Sequence, residues 1–439
     1  MKPGSAARCV PRGRKGSVKK IEGFVVGVCL LTLLSSVAVG QQVYAATKVP
    51  NSSPNTPTTI NNLGQVLVNQ ITPTEVSVSS WNRLGAISAL TLGGVDDLGT
   101  AMNGNNDVAG TGQETSNGDP QAFLLQAGGA TRWLGTLGGP GSWANGLNNS
   151  DQVVGVSFTG AGQRHAFLWT EGAGMQDLTP DLTSPFGSVA TAINSAGEVV
   201  GYYYPEGATD VVAFTWTKAG GLQTFATTGT MAFAVNDAGT VAGQVLTAAG
   251  RHAFSWTSAQ GLVDLGTLGG AMSTAMGINS NGWVVGSSLA SDGSGMLRGF
   301  LWTPTGGMQD LTAISNLGGA QPYSIEVNDY GDIAIADGKQ VVLLTPKLTG
   351  QVLSSANPSQ SGTSVKFTTT LTSIAGPPPN GESVQCSVAG EVVSTGTIAN
   401  GVGQCSVSGL THGNHAVSII YPGDVYFEPV RILVMQTVD

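Results

Sequence analysis

The sequence predicts an all-β protein: a seven-bladed β-propeller-like repeat domain followed by a β-sandwich. Three observations predict it. The 439 residues include 64 Gly and 20 Pro but only 10% charged residues. Turns are therefore plentiful, and the Glu, Lys and Arg that coat helices are scarce. One phrase recurs seven times at a spacing that fits a four-stranded blade. Beyond residue 346 that phrase stops and a period-two alternation begins. At 41% hydrophobic residues the chain can fill large cores, which excludes wholesale disorder.

The recurring phrase is an apolar residue, Asn, two or three turn residues, then an apolar pair. Its copies centre on Asn61, Asn103, Asn148, Asn194, Asn236, Asn279 and Asn328, with spacings of 42, 45, 46, 42, 43 and 49 residues. The fifth copy shows the grammar. A short apolar run, 232–236, meets the turn Asp237-Ala238-Gly239, whose residues tolerate a left-handed backbone. A second run contains Val241-Ala242-Gly243. His252-Ala253-Phe254-Ser255-Trp256-Thr257 is a third, and 262–268 a fourth, closed by Gly269-Gly270. Runs this short, rich in Val, Phe and Trp and bounded by Gly, Asn and Asp, read as strands. Each Asn is expected to start the hairpin between the first two strands, so that all seven turns share one face. An open stack of small sheets is the rival architecture.

The third run recurs as Ala122-Phe123-Leu124, His165-Ala166-Phe167-Leu168-Trp169, Ala213-Phe214-Thr215-Trp216 and Gly299-Phe300-Leu301-Trp302. With the fourth-run phrases, such as Trp133-Leu134-Gly135-Thr136-Leu137-Gly138-Gly139, residues 57–346 resemble the HAF-repeat family of predicted extracellular bacterial proteins. That resemblance implies an extracellular address and no established activity. The seventh unit reaches Pro346 without a fourth run. The segment 46–56 is expected to supply the missing outer strand and close the ring, its prolines suiting an edge position.

From 347 to 439 the strand candidates sit at sandwich spacing. The phrases Ser355-Ala356-Asn357-Pro358-Ser359, Leu410-Thr411-His412-Gly413-Asn414-His415 and Tyr421-Pro422-Gly423-Asp424 resemble the bacterial Ig-like repeat of surface proteins. The resemblance implies an Ig-like β-sandwich, expected as a separate domain after the ring. Cys386 and Cys405 occupy its apolar strand positions, and a disulfide across the sandwich would explain both.

Residues 1–45 read as a secretory signal. Seven Lys and Arg precede an uncharged apolar run over 24–40, and Val43-Tyr44-Ala45 follows. Cleavage between Ala45 and Ala46 is expected, with a cut after Gly40 the alternative. Retention as a membrane anchor is the competing reading; the run is at the short edge of a spanning helix. After removal of the segment, 11 basic and 26 acidic residues remain, a net of −15. So few scattered bases cannot neutralise a run of phosphates, which excludes nucleic acid as a partner. The two remaining Cys form an even count suited to an oxidising compartment.

No cofactor, metal or catalytic signature is present. His165 and His252 share a slot that holds Gln121, Val212 and Arg298 in other copies, which suits a structural role. Asn103 and Asp107 offer too few oxygens for calcium. Trp169, Trp216, Trp256 and Trp302 recur once per unit, as packing residues do. The expected function is a secreted or cell-surface binding or adhesion platform without catalysis, with an unidentified protein or glycan ligand. The alternative is an enzyme acting on extracellular polysaccharide. The loops 113–120, 158–163 and 289–297 vary most, so the ligand is expected on the face they share.

Overall fold

The computed structural model describes residues 42–439 apart from 51, 54–55, 57, 72–75, 86, 91–94, 116–117 and 318–320. The charged and apolar segment expected as a signal lies outside the described residues, up to residue 41. What is described is all-β but for one short helix, Leu311–Ile314, capped by the Asp310 side chain.

Antiparallel sheets are arranged as a propeller. Six of them have four strands, for example Ser188–Ile193, Val199–Tyr203, Val212–Thr217 and Gly221–Thr224 in chain order. The expectation of seven four-stranded blades is corrected to six. The sheet of the first unit has three strands, Gln65–Ile71, Val76–Asn82 and Ile87–Leu90. Its innermost position is reduced to the single bridge Ile60↔Val66. The reason is local. Thr58 donates its N–H to Ser324 Oγ and its hydroxyl to the Leu67 carbonyl, while Leu67 N–H reaches the Thr59 carbonyl. Two bonds involving side chains and one main-chain bond stand there in place of a full ladder.

The closing strand is Tyr44–Val49, paired antiparallel with Val341–Pro346 from Tyr44↔Pro346 to Val49↔Val341. It starts earlier than the segment 46–56 expected for this role, because Tyr44 and Val49 are both fully buried in the last blade's core. The bond expected to be cut, Ala45–Ala46, therefore falls inside a paired strand.

The repeat phrase has a packing explanation. The Phe of each third strand is fully buried: Phe123, Phe167, Phe214, Phe254 and Phe300. Each lies over the Gly of its second strand. A Cβ on Gly201 would collide with the Val189 carbonyl and come 2.9 Å from the Phe214 ring. The Ala before the Phe donates its N–H to a hydroxyl on the next blade, as in Ala166 to Ser188 Oγ (2.8 Å), Ala213 to Thr230 Oγ1 (3.1 Å) and Ala253 to Ser273 Oγ (2.8 Å). Each of these Ala residues is fully buried at that seam. Sequence reading missed these hydroxyls because Ser and Thr are common and their partners lie about 20 residues away.

Residues 349–438 form one seven-stranded, nearly closed sheet in the order Thr349–Ser354, Val365–Thr372, Val402–Val407, Glu391–Ala399, Ser383–Val388, Gly413–Tyr421, Val430–Val438. Val365, Phe367 and Leu371 alternate into its core. Cys386 and Cys405 are bonded, with Cα atoms 5.7 Å apart, and link two strands that are not neighbours in the sheet. The link closes a loop of modest length, so the variant C386A/C405A should lose about 3 kcal/mol of stability by the chain-entropy estimate. A urea titration of the oxidised parent and the variant measures it; coincident midpoints would show that strand pairing alone holds the domain.

Contacts join this C-terminal sheet to the ring. Arg83 donates Nη2 to the Phe427 carbonyl (2.6 Å) and pairs with Glu428 (3.3 Å). Tyr330 and Tyr426 stack with centroids 3.7 Å apart, and Tyr426 Oη donates to the Asn62 carbonyl. The module therefore sits across the seam where the first and last repeats meet.

Candidate functional site

The seven Asn residues form a closed circle on one face. Each Nδ2 donates to the carbonyl of the next Asn, from Asn61 to Asn103 (3.1 Å) round to Asn328 back to Asn61 (3.2 Å). Each Oδ1 meanwhile accepts the N–H groups two and four residues on, as Asn148 does from Ser150 (3.0 Å) and Gln152 (3.1 Å). The side chain is thus a turn former and a clasp at once. The turn role was legible in the sequence; the clasp was not.

The apolar residue before each Asn forms a collar beneath the circle, which includes Met102, Leu147, Ile193, Val235 and Ile278. These residues line both a shallow pocket of about 240 Å³ on the Asn side and a cavity of about 800 Å³ on the other. The larger cavity is an axial funnel. Neighbouring strands are antiparallel, so the inner strands begin where the second strands end. The funnel therefore opens on the face of the loops between second and third strands, 158–163 and 289–297 among them; part of the 113–120 loop lies outside the described residues.

Its lining has a common origin. In five units the inner strand is bulged opposite the second-strand Gly, and one residue is left out of the ladder: Thr100, Asn145, Thr191, Phe233 or Met276. All five face the funnel. The next residue is always small: Ala101, Gly146, Ala192, Ala234 or Gly277. The last repeat has no Gly in its second strand, Ile333–Ala336, and no bulge. Glu326 stands where the others are small. Its carboxyl fits because Gly277 on the adjacent blade lacks a Cβ, which would lie 2.8 Å from Glu326 Oε1.

Glu326 is the one charged-type side chain among the described funnel-lining residues. Burial pushes its carboxyl up to about 8, with the Val327 backbone amide opposing the shift. It is therefore largely neutral at pH 7 when nothing compensates it.

Other residues singled out in the sequence have structural partners. His165 is buried, its Nδ1 2.7 Å from Asp177 Oδ2 and its Nε2 3.1 Å from the Leu182 carbonyl. His252 pairs with Asp264 (2.9 Å) and Arg298 with Asp310 (2.7 Å) in the same slots. That slot joins the third strand to the end of the fourth. Asn103 holds Asp107 within its own turn (3.0 Å). Trp169 and Trp216 are buried between blades.

The sheets and their axial circle define the class: a β-propeller carrying an Ig-like module. Residues 352–438 match the bacterial Ig-like domain (group 3) family. No curated protein matches the chain. Among solved structures, a streptogramin B lyase is 14% identical and covers 69% of this chain and 98% of its own, with a TM-score of 0.47. A puromycin hydrolase mutant is 12% identical, covering 88% of this chain and 63% of its own at a TM-score of 0.43. TolB from Acinetobacter baumannii is 12% identical, covering 46% and 51%, at a TM-score of 0.37.

Proposed function

We propose that this is an exported, non-catalytic binding protein of the HAF-repeat type whose ligand enters the axial funnel. One observation carries the reading. Across repeats that share one strand and turn pattern, the residue projected into the funnel changes in chemistry while its neighbours stay small: Thr, Asn, Thr, Phe and Met in successive bulges, then Glu326 beside them. A framework that repeats while its axial lining varies is built to present a particular surface. Binding is favoured over glycoside hydrolysis because that chemistry needs a carboxyl pair, and the described lining offers one carboxyl. The disulfide suits an oxidising compartment. No described helix is long and apolar enough to cross a membrane.

The test is an array of oligosaccharides and small metabolites, probed with the parent and with Thr59→Trp. Thr59 lines the funnel, and its ladder contribution is its carbonyl, which the variant keeps. Hits lost in Thr59→Trp are expected. Hits indifferent to it, or conversion of any hit to product, would overturn the reading.

A further inference from the structure

The funnel is not uniform around its circumference. On one arc the bulged side chains are already engaged. Thr100 Oγ1 donates to the Ala144 carbonyl (2.8 Å), Asn145 Nδ2 to Ala190 (2.9 Å) and Thr191 Oγ1 to Ala232 (2.9 Å), each on the following blade. The opposite arc, from three consecutive repeats, presents Phe233, Met276 and Glu326. Phe233 is held edge-to-face by Tyr202, with centroids 6.2 Å apart. Tyr323, 56% exposed, stands at the mouth.

We propose that this arc binds an organic cation, with a substituted ammonium group seated against the Glu326 carboxyl and enclosed by Phe233, Met276 and Tyr323. This rests on the funnel being the binding site. Three physical points support it. A ring face and a thioether favour a polarising, weakly hydrated cation over a neutral polar group. A half-buried carboxyl with no counter-charge is costly, and no Lys, Arg or His lines the described funnel. A bound cation supplies the missing charge. Finally, an ammonium carrying methyl groups needs no hydrogen-bond donors or acceptors beyond the carboxyl. That matches an arc whose other members are apolar or aromatic.

The electrostatics set the sign of the pH effect. Apart from Glu326, the titratable side chains facing the described funnel are Tyr202 and Tyr323; burial raises the Tyr202 phenol above its ordinary value. The strands packed on Glu326 bring Gly277 and Ala334, which do not titrate. In the free protein Glu326 holds a proton below about pH 8. Binding a cation expels that proton to solvent, so affinity rises with pH, by close to tenfold between pH 6 and pH 7, and levels off above pH 8. A neutral ligand that accepts a hydrogen bond from the protonated carboxyl would show the opposite trend.

The probes are choline and its uncharged carbon isostere, 3,3-dimethylbutan-1-ol, titrated calorimetrically into the purified chain at pH 6, 7, 8 and 9. Choline is expected to bind at least about tenfold more tightly than the isostere, a difference of one substituted ammonium. Glu326→Gln keeps the size and polarity of the site. It should weaken choline at least about tenfold, abolish the pH dependence and, because the uncompensated carboxyl is gone, raise the ligand-free thermal midpoint at pH 7 rather than lower it. Equal binding of the isostere, choline binding undisturbed by Glu326→Gln, or no choline binding at millimolar concentration would overturn the cation assignment. If choline fails while a neutral array hit is lost in Thr59→Trp, the funnel remains the site and its ligand is uncharged. If hits ignore Thr59→Trp, the funnel reading itself fails.

Discussion

A chain that begins at Ala46 will unfold at a clearly lower denaturant concentration than one that begins at Gln41. The two chains differ by residues 41–45, and three of these carry most of the effect. Tyr44 is fully buried and packs in the cluster that includes Leu301, Leu311, Ile325 and Leu344. Losing a buried large aromatic costs about 3–5 kcal/mol. Val43 adds two backbone bonds, donating to the Ile314 carbonyl and accepting from Lys347 N–H, both 2.8 Å, each worth about 1 kcal/mol. Ala45 adds its place opposite Thr345. Set against a total stability of about 5–15 kcal/mol, the deficit is large. The same argument selects among processing sites. A cut after Ala45 would remove the head of the closing strand, whereas one after Gly40 leaves it whole. Under the export proposed above, N-terminal sequencing of secreted material should therefore read from Gln41. A start at Ala46 with unchanged stability would show that Tyr44 is dispensable to the closed ring.

Asn148→Ala and Asn148→Asp should destabilise the protein by similar amounts, about 3 kcal/mol each. Alanine leaves the Ser150 and Gln152 amides and the Asn194 carbonyl without their partner. Aspartate keeps the two accepted bonds and would be tolerated if the residue served its turn alone. It replaces the donor, however, with a carboxylate oxygen about 3 Å from the Asn194 carbonyl, on a side chain that is 5% exposed. That contact is repulsive and the charge is buried. Thermal midpoints of the two variants decide between the roles. An aspartate variant as stable as the parent would mean that the circle of amides contributes nothing beyond seven independent turns.

The repeat was legible because its phrase returns at near-constant spacing. The strands were legible because Phe, Val and Trp cluster between turn residues. What escaped reading is what crosses between units. Asn194 marks its own hairpin in the sequence, but its bond to Asn236 leaves no local trace. Thr191, Phe233 and Met276 sit among constant neighbours as an unremarked variable slot. Only the bulge, for which a Gly on the facing strand leaves room, reveals that they point inward. Glu326 was harder still. Its repeat lacks that Gly, so it stands out of register with the slot it chemically completes. The contacts of Arg83 and Tyr426 with the other domain join residues more than 340 positions apart. No periodicity could carry that information.

Closing the ring with a strand from the front of the chain has a consequence in time. Tyr44 leaves the ribosome first among the described strands, and its partner Pro346 follows about 300 residues later, on the order of 15–60 s at ordinary synthesis rates. During that interval Tyr44 and Val49 have no core to enter. Intermediate blades can pair within themselves as they emerge, since each hairpin is local, but none of them can bury this strand. Closing the ring is therefore a single long-range capture that carries a loop-closure entropy cost. Every earlier arrangement of the chain is an open arc, with one unsatisfied edge at each end.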